Sequence, residues 1–495
     1  MPDKVRQAVV VVHGMGEQRP LDTLNGFIRA ALPEGTDSAP TFYSRPDWVT
    51  DSYEARRYLA PPREAEDGTE LHAQTEFYEY HWAHLMQGNR LDDLWPTMRR
   101  MLLLPPTAVP AGLRVVWALF WAIILAAVWA VLWGPLKGVD LAGSSFTKLL
   151  GALVGGGLIA WVLTFVVARV LPGWITGSFV DVVRYLDTTP RSYEVRRSIR
   201  KGIVELLQGL HDSGRYQRIV IVAHSLGSYI AYDAITYLWA QMNWRHAAPT
   251  GPVGRRGSSP DGLLELEQAA SALGGGGTGL DAFRAAQRRL WLGLRQQGNP
   301  WLITDFVSLG SPMYFADRLY TKNRREFEDR VAKRELSTCP PQPELTSYNN
   351  VNHTRLWYSF RTGPVRSLYH AAPFAVVRWT NYWFPSALGF FGDWFGGPLA
   401  PLLGPGIEDV AVQGNRWKRL IPAYAHALYF RLAHPGPDSI RSLLRAAMDL
   451  ASSSWLTATL DAPEPTAPAS QKGVPGGDVD TLLTGARREH LPRRM

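Results

Sequence analysis

Short, almost purely apolar runs alternate along this chain with longer stretches in which apolar residues recur every three or four positions. Gln7 to Val12 and Arg218 to Val222 are runs of the first kind, rich in valine and isoleucine. They predict strands buried on both faces of a sheet. Phe77 to Trp82, Trp301 to Leu309, Val376 to Thr380 and Ile407 to Val412 are further strand candidates. The helical pattern is clearest over Tyr193 to Leu210, where Val195, Ile199, Ile203, Leu206 and Leu210 form one apolar stripe. Leu91 to Leu104, Val180 to Leu186 and the amphipathic stretch Tyr229 to Trp239 also read as helices. Strands alternating with helices in this way predict an α/β fold, a mostly parallel sheet flanked by helices.

Two segments interrupt that alternation. Val115 to Leu136 and Leu149 to Val167 carry no charge, and each is near the ~20 residues that a helix needs to cross a bilayer. Trp117, Trp121, Trp129 and Trp133 distribute around the first helix, and an apolar surface on all sides suits lipid. Gly151 and Gly155 in the second would let the two pack closely as a transmembrane hairpin. Two crossings return the chain to its starting side, as they must if the strands before and after them share a sheet. Arg99, Arg100 and Arg114 precede the pair and Arg169, Arg184 and Arg191 follow it. The positive-inside bias therefore expects the core in the cytoplasm, below what would be a bacterial inner membrane. A second interruption follows Tyr229 to Trp239. Pro249 to Asp261 is rich in Gly, Pro and Ser, and a glycine run at Gly274 to Gly277 separates helical patterns at Leu263 to Leu273 and Leu280 to Arg295. This section reads as an insertion outside the core. From Asp461 onward Pro, Gly, Ala and Ser predominate, and disorder is expected.

Composition changes the picture in three places. The single cysteine, Cys339, excludes an internal disulfide framework and fits a reducing compartment. The net charge is +8. It suggests an anionic partner surface, and because the basic residues are scattered without a nucleic-acid module, a membrane fits better than nucleic acid. No Cys/His cluster suggests a metal, and no Gly-Lys-Ser/Thr follows Gly14 and Gly16 to form a phosphate loop. No cofactor is expected.

The candidate chemistry lies at the ends of the two strongest strands. Arg218 to Val222 runs into Ala223-His224-Ser225-Leu226-Gly227 and then turns helical. This is the strand–turn–helix context of a nucleophile elbow, with small residues at 223 and 227 where the turn needs them. Gln7 to Val12 ends in His13-Gly14-Met15-Gly16. Together the two motifs resemble the α/β-hydrolase superfamily, within it the lipase- and esterase-like serine hydrolases, inositol-deacylase-like lipases included. Ala223 departs from the commoner glycine. So do the expected hairpin between the two motifs and the long section after the elbow helix.

The resemblance implies Ser225 as nucleophile and the backbone amides of Met15 and Leu226 as oxyanion donors. His13, Gly14 and His224 are expected to line the substrate. An acid and a base must follow in the order Ser, Asp or Glu, His. His426, in Tyr424-Ala425-His426-Ala427, is the expected base, with His434 as the alternative; His353 and His370 come too early in the chain. The acid is sought near Trp379-Thr380-Asn381 and Asp393-Trp394-Phe395-Gly396-Gly397, an arrangement similar to one in bacterial lipase-like hydrolases. Asp393 is the candidate, with Asp409 and Glu408 as rivals and Asp305 weaker. Leu309-Gly310-Ser311-Pro312 also resembles a stretch that follows the next strand in such enzymes.

The expected organisation is therefore 1–104, the N-terminal core with the oxyanion loop; 105–175, the hairpin; 176–246, core with the elbow; 247–300, the helical insertion; 301–460, core with acid and base; and 461–495, the tail. The resemblance implies a membrane-anchored hydrolase cleaving a carboxylic ester, an acyl lipid in particular. A catalytically inactive scaffold or an acyltransferase using the same site are the other readings.

Overall fold

The computed structural model describes residues 6–14, 19–32, 42–46, 49, 56–60, 63–64, 70–72, 74–86, 190–247, 259–274, 278–321, 323–342, 345–348, 351–354, 359–362, 365–385, 392–412, 424–430 and 440–450, with isolated positions between 103 and 186. Its centre is an eight-stranded sheet. Six strands run parallel, in spatial order β14 (Glu408–Ala411), β13 (Arg378–Trp383), β8 (Ile303–Leu309), β7 (Arg218–His224), β1 (Arg6–Val12) and β6 (Gln74–Tyr80). Beyond β6, β3 (Arg56–Ala60) and β2 (Tyr43–Pro46) continue the sheet antiparallel. Outside it lie the antiparallel pairs β4 (Arg63–Glu64) with β5 (Glu70–His72), β9 (Leu345–Tyr348) with β10 (Val351–Thr354), and β11 (Ser359–Thr362) with β12 (Val365–Leu368).

The central strands read as unbroken apolar runs because both faces of the sheet are covered. Val9, Val11, Val220, Val222, Val307 and Leu309 point to one side, where α1 (Asp22–Ala31) and the C-terminal α9 (Ile440–Ala447) cover them. Val10, Val12, Ile219, Ile221, Ala223 and Phe306 point to the other. There α2 (Pro190–Asp212), α3 (Leu226–Ala247), α4 (Leu263–Ser271) and α5 (Leu280–Gln296) pack. Short helices α6 (Ala316–Leu319), α7 (Arg324–Ala332) and α8 (Ala400–Leu403) fill the connections.

Two expectations are revised here. Residues 263–296 do not stand outside the core. Leu266, Phe283, Leu290 and Trp291 are buried in the main apolar cluster. The Gln287 side chain donates to the carbonyls of Phe374 and Val377, just before β13, at 2.7 and 3.1 Å. Glycine-rich flanks disguised how deeply this helix packs, with an inner face that is apolar around the buried Gln287. The strand expected at Val376 to Thr380 begins later, at Arg378, because Pro373–Ala375 forms a 3-10 turn that carries Phe374 into the core.

The proposed membrane hairpin lies almost wholly outside the described residues; Trp117, Ala118, Trp121, Ala122 and Leu125 are helical positions of its first segment. Among the described residues no helix is long and apolar enough to cross a membrane. The expected helix at Leu91 to Leu104 and the tail also fall outside them, apart from isolated positions.

At the N-terminal end of the parallel strands sits a buried ionic group. The Arg218 guanidinium bonds Asp305 at 2.6 Å and Asp449 at 2.5 Å, and Arg378 reaches the other Asp305 oxygen at 2.7 Å. Burial opposes the Asp305 charge, but Arg378 and Arg218 outweigh it and hold its carboxyl at about 2. Asp305 is thus a structural anion at the sheet end remote from Ser225, and its candidacy as the acid falls. Through Asp449 the same group fastens the chain after α9 to the start of β7.

Candidate active site

Ser225, His426 and Asp393, with His13, Gly14, His224 and Leu226, gather at the C-terminal ends of the parallel strands, where α/β sheets place their ligands. Strand β7 ends at His224, and α3 begins at Leu226. Ser225 alone makes the reversal, with φ at +53°. A left-handed conformation is costly for a residue with a Cβ, and such strain concentrates at functional sites. Ser225 is held there by its amide, which donates to Leu309 O on β8 at 2.9 Å. Gly227 is required by close approach: a Cβ there would lie 2.5 Å from His13 O and 2.6 Å from Val12 O. The elbow is therefore wedged directly against the end of β1.

Ser225 Oγ lies 2.8 Å from His426 Nε2, and His426 Nδ1 lies 3.0 Å from Asp393 Oδ1. The three residues are buried. With the Nδ1 proton directed at the carboxylate, Nε2 is left to accept the serine proton. His426 sits in a 3-10 turn, Tyr424–Ala427, that follows β14 in the chain. Its carbonyl accepts a 2.9 Å bond from His224 Nε2, so the residue beside the serine also anchors the backbone that carries the base.

Asp393 is built into its position by four neighbours. The Phe395 amide donates to Oδ1 at 2.8 Å, and the Tyr429 hydroxyl donates to Oδ2 at 2.7 Å. Asn381 at β13 donates to Gly397 O at 2.9 Å and so fixes the far end of the loop. A Cβ on Gly396 would lie 2.6 Å from Asp393 Oδ2 and 2.7 Å from Gly310 Cα. Burial opposes the Asp393 charge, yet His426 and the hydrogen bonds outweigh it and hold the carboxyl below its ordinary value. The rival acids are used elsewhere. Asp409 accepts from the amides of Leu399 and Ala400 at 2.9 and 2.8 Å and from Asn381 at 2.7 Å. Glu408 pairs with Arg284 at 2.9 Å.

His13 is corrected as a substrate contact. Its Nε2 accepts from the Trp82 amide at 3.0 Å and its Nδ1 donates to Gly14 O at 2.8 Å, so both nitrogens are spent within the protein. The Trp82 indole donates to His13 O at 3.1 Å and stacks on the imidazole. Burial, first of all, holds His13 at about 3 and keeps it neutral. Its work is to pin the turn after β1 to the turn after β6. His224 is likewise a strut, held at about 3 chiefly by burial and next by His426. Gly14 is packed against it, since a Cβ there would lie 2.6 Å from His224 Nδ1 and 3.0 Å from Ser225 Cβ. Leu226 opens α3, so its amide has no intrahelical acceptor. Met15 and the alternative base His434 lie outside the described residues.

Tyr429, the Phe395 amide and the Trp82 brace had no assigned role in the sequence. The signal for Tyr429 was its spacing, three residues after His426, which in a helical turn puts both side chains on one side. Cys339 is buried, and burial pushes its thiol up to about 12, so it offers no second nucleophile. Among the described residues no cluster of three or more His, Cys, Asp or Glu is placed to hold a metal ion. Comparison of the chain with family models, with curated proteins and with solved structures finds no match.

Proposed function

We propose that this protein is a serine hydrolase of the α/β-hydrolase type that cleaves a carboxylic ester through an acyl-enzyme. The observation that carries the reading is the continuous line of hydrogen bonds from Ser225 through His426 to Asp393, on a serine at φ +53° between strand and helix. Chain order and placement also agree with that fold: nucleophile after a central strand, acid after β13, base after β14.

In the reaction, Ser225 Oγ attacks the ester carbonyl while its proton passes to His426 Nε2. Asp393 stabilises the imidazolium and keeps the ring oriented. Collapse of the tetrahedral intermediate expels the alcohol, which takes the proton from His426. Water, deprotonated by the same imidazole, then attacks the acyl-serine; the acid leaves and Ser225 regains its proton. Oxyanion charge is assigned to the amides of Leu226 and Met15, donors of the kind that contribute about 3–4 kcal/mol each to such reactions.

An acyl lipid is the proposed substrate class, and the membrane the proposed location. The support is the pair of uncharged segments at 115–136 and 149–167, with the aromatic surroundings of the site. Phe395 lies 4.9 Å from the His426 ring and Phe430 5.6 Å from the His224 ring, centroid to centroid.

The test is labelling of detergent-solubilised protein with a fluorophosphonate probe, whose phosphorus the serine attacks as fluoride leaves. Wild type is expected to label, and Ser225→Ala and His426→Ala to lose the label. Folded wild type that stays unlabelled would reject the hydrolase and favour an inactive scaffold. Hydrolase and acyltransferase separate by product, free acid against acyl transferred to a second alcohol.

A further inference from the structure

We propose that Tyr429 is a positioning residue of this site: its hydroxyl holds one oxygen of the Asp393 carboxylate so that the other faces the His426 imidazole. The inference rests on the serine-hydrolase reading for its catalytic meaning, and on geometry for the linkage itself.

The direction of the hydrogen bond is fixed by chemistry. The Phe384 amide can only donate, and it donates to the Tyr429 oxygen at 3.1 Å. The phenolic proton is then free for Asp393 Oδ2, 2.7 Å away. The tyrosine cannot ionise in the working range, since burial and Asp393 raise its hydroxyl well above the ordinary value. A donor is therefore always present on Oδ2, while Oδ1 takes the Phe395 amide and His426. Base and strut share one turn of chain, at positions 426 and 429, so they move together.

The surrounding residues leave room for this bond specifically. Gly310, at φ +54°, closes the loop after β8, and a Cβ there would lie 2.5 Å from the Tyr429 ring and 2.8 Å from Asp393 Oδ2. The glycine at 310 thus serves the same contact as the glycine at 396. Packing alone does not account for the hydroxyl. The ring's contacts with Phe384 and His224, at 4.6 and 5.4 Å between centroids, would be kept by phenylalanine.

Removing the hydroxyl has a predictable electrostatic sign. Tyr429 shares the negative charge of Asp393; without it more charge faces His426, and the imidazolium is favoured. The other groups around His426 do not compensate. Ser225 is neutral, Phe395 is apolar, and His224 stays uncharged down to about 3. In Tyr429→Phe the midpoint of the pH profile of labelling moves upward, by roughly 0.5 to 1 pH unit. The less constrained carboxylate also slows the serine, by about tenfold.

The experiment compares the full-length wild type, Tyr429→Phe, Asp393→Asn and the double variant. Fluorophosphonate labelling rates are measured from pH 5 to 9. The His426 ring resonances are followed at fixed pH by histidine-selective 15N NMR, assigned with His426→Gln. The expected result is an upward shift and slower labelling in Tyr429→Phe, with no further slowing when the tyrosine is changed in the Asp393→Asn background. An unmoved labelling midpoint together with unmoved His426 ring resonances in Tyr429→Phe would overturn the inference, as would equal slowing in both backgrounds. Unlabelled wild type whose His426 ring resonances nevertheless move in Tyr429→Phe would reject the hydrolase reading while upholding the Tyr429–Asp393–His426 linkage.

Discussion

At the scale of single residues, the site is defined as much by missing side chains as by reactive ones. Gly14, Gly227, Gly310 and Gly396 each stand where a Cβ would meet a partner at 2.8 Å or less, and each touches the elbow, the acid or their supports. The neighbouring pair 396 and 397 gives a contrast that can be measured. At 396 the obstructing atoms are the Asp393 carboxylate and the Gly310 backbone; at 397 they are the ring of the partly buried Tyr314. Gly396→Ala is expected to displace the acid and slow fluorophosphonate labelling by about 100-fold, the scale of a misplacement near 1 Å. Gly397→Ala should slow it much less, because a side chain can yield where a carboxylate and a backbone cannot. Equal rates in the two variants would contradict this account. Ser225, Asp393 and His426 were legible in the sequence because they stand in strand–turn contexts and in a fixed chain order. Tyr429 and Trp82 were not, because their roles depend on which strands become neighbours. His13 was misread as a substrate contact for the same reason: Trp82 lies 69 positions away along the chain and claims its nitrogen through the β1–β6 pairing.

At the scale of elements, periodicity identified strands and helices well wherever one face is buried. What misled was flanking composition that imitated a linker, so that two correctly read helices were placed outside the core. Helices α4 and α5 illustrate this, since Gly- and Pro-rich stretches surround a helix whose Phe283, Leu290 and Trp291 are all buried. A consequence follows for deletion. If residues 263–296 were an excursion, joining residue 262 to 297 would be tolerated. Because α5 covers the sheet and caps the carbonyls of Phe374 and Val377, the shortened chain is expected to aggregate or to lack a cooperative thermal transition. Each large apolar side chain so exposed forfeits about 1.5–3 kcal/mol of burial, and several are exposed together. A cooperative, labelling-competent deletion variant would restore the insertion reading. Parallel strand pairing was legible from the alternation of elements. The antiparallel continuation through β3 and β2 was not, since β2 is exposed along its length and carries no apolar alternation.

At the scale of the whole molecule, the sheet has two charged or polar ends with opposite tasks. One holds the Arg218–Asp305–Asp449 group, the other the Ser225–His426–Asp393 line. At these ends three histidines are buried in the neutral state. His13 and His224 are held at about 3 and His211 at about 4, in each case first by burial. His211 is committed on both sides, donating from Nδ1 to Leu207 O at 2.7 Å and accepting at Nε2 from the Leu302 amide at 3.1 Å. In the unfolded chain these imidazoles protonate at their ordinary 6.5. Between that pH and the folded values the unfolded state binds more protons, so stability is complete above 6.5 and falls as pH drops toward 4. His211 alone accounts for a loss on the order of 3 kcal/mol over that window. Urea midpoints measured at pH 7.5, 6 and 5 should therefore fall steadily, and a flat profile would contradict the neutral assignment. The Asp305 ion pairs add nothing in this range; their contribution is lost only lower, as pH falls from the ordinary carboxylate value through about 2.

The distance in sequence between Ser225 and His426, 201 positions, has a consequence for the order of synthesis. A ribosome delivers Ser225, and the strand and helix that strain it, long before the imidazole that bonds it. The acid arrives 33 positions ahead of the base, and the strut that steadies the acid comes only after the base. Until that last turn emerges and Asp449 locks the end of the following helix onto Arg218, the growing chain carries Ser225 without its imidazole partner. Under the function proposed above, newly made protein is thereby spared a reactive centre during the interval when its own surfaces are still exposed.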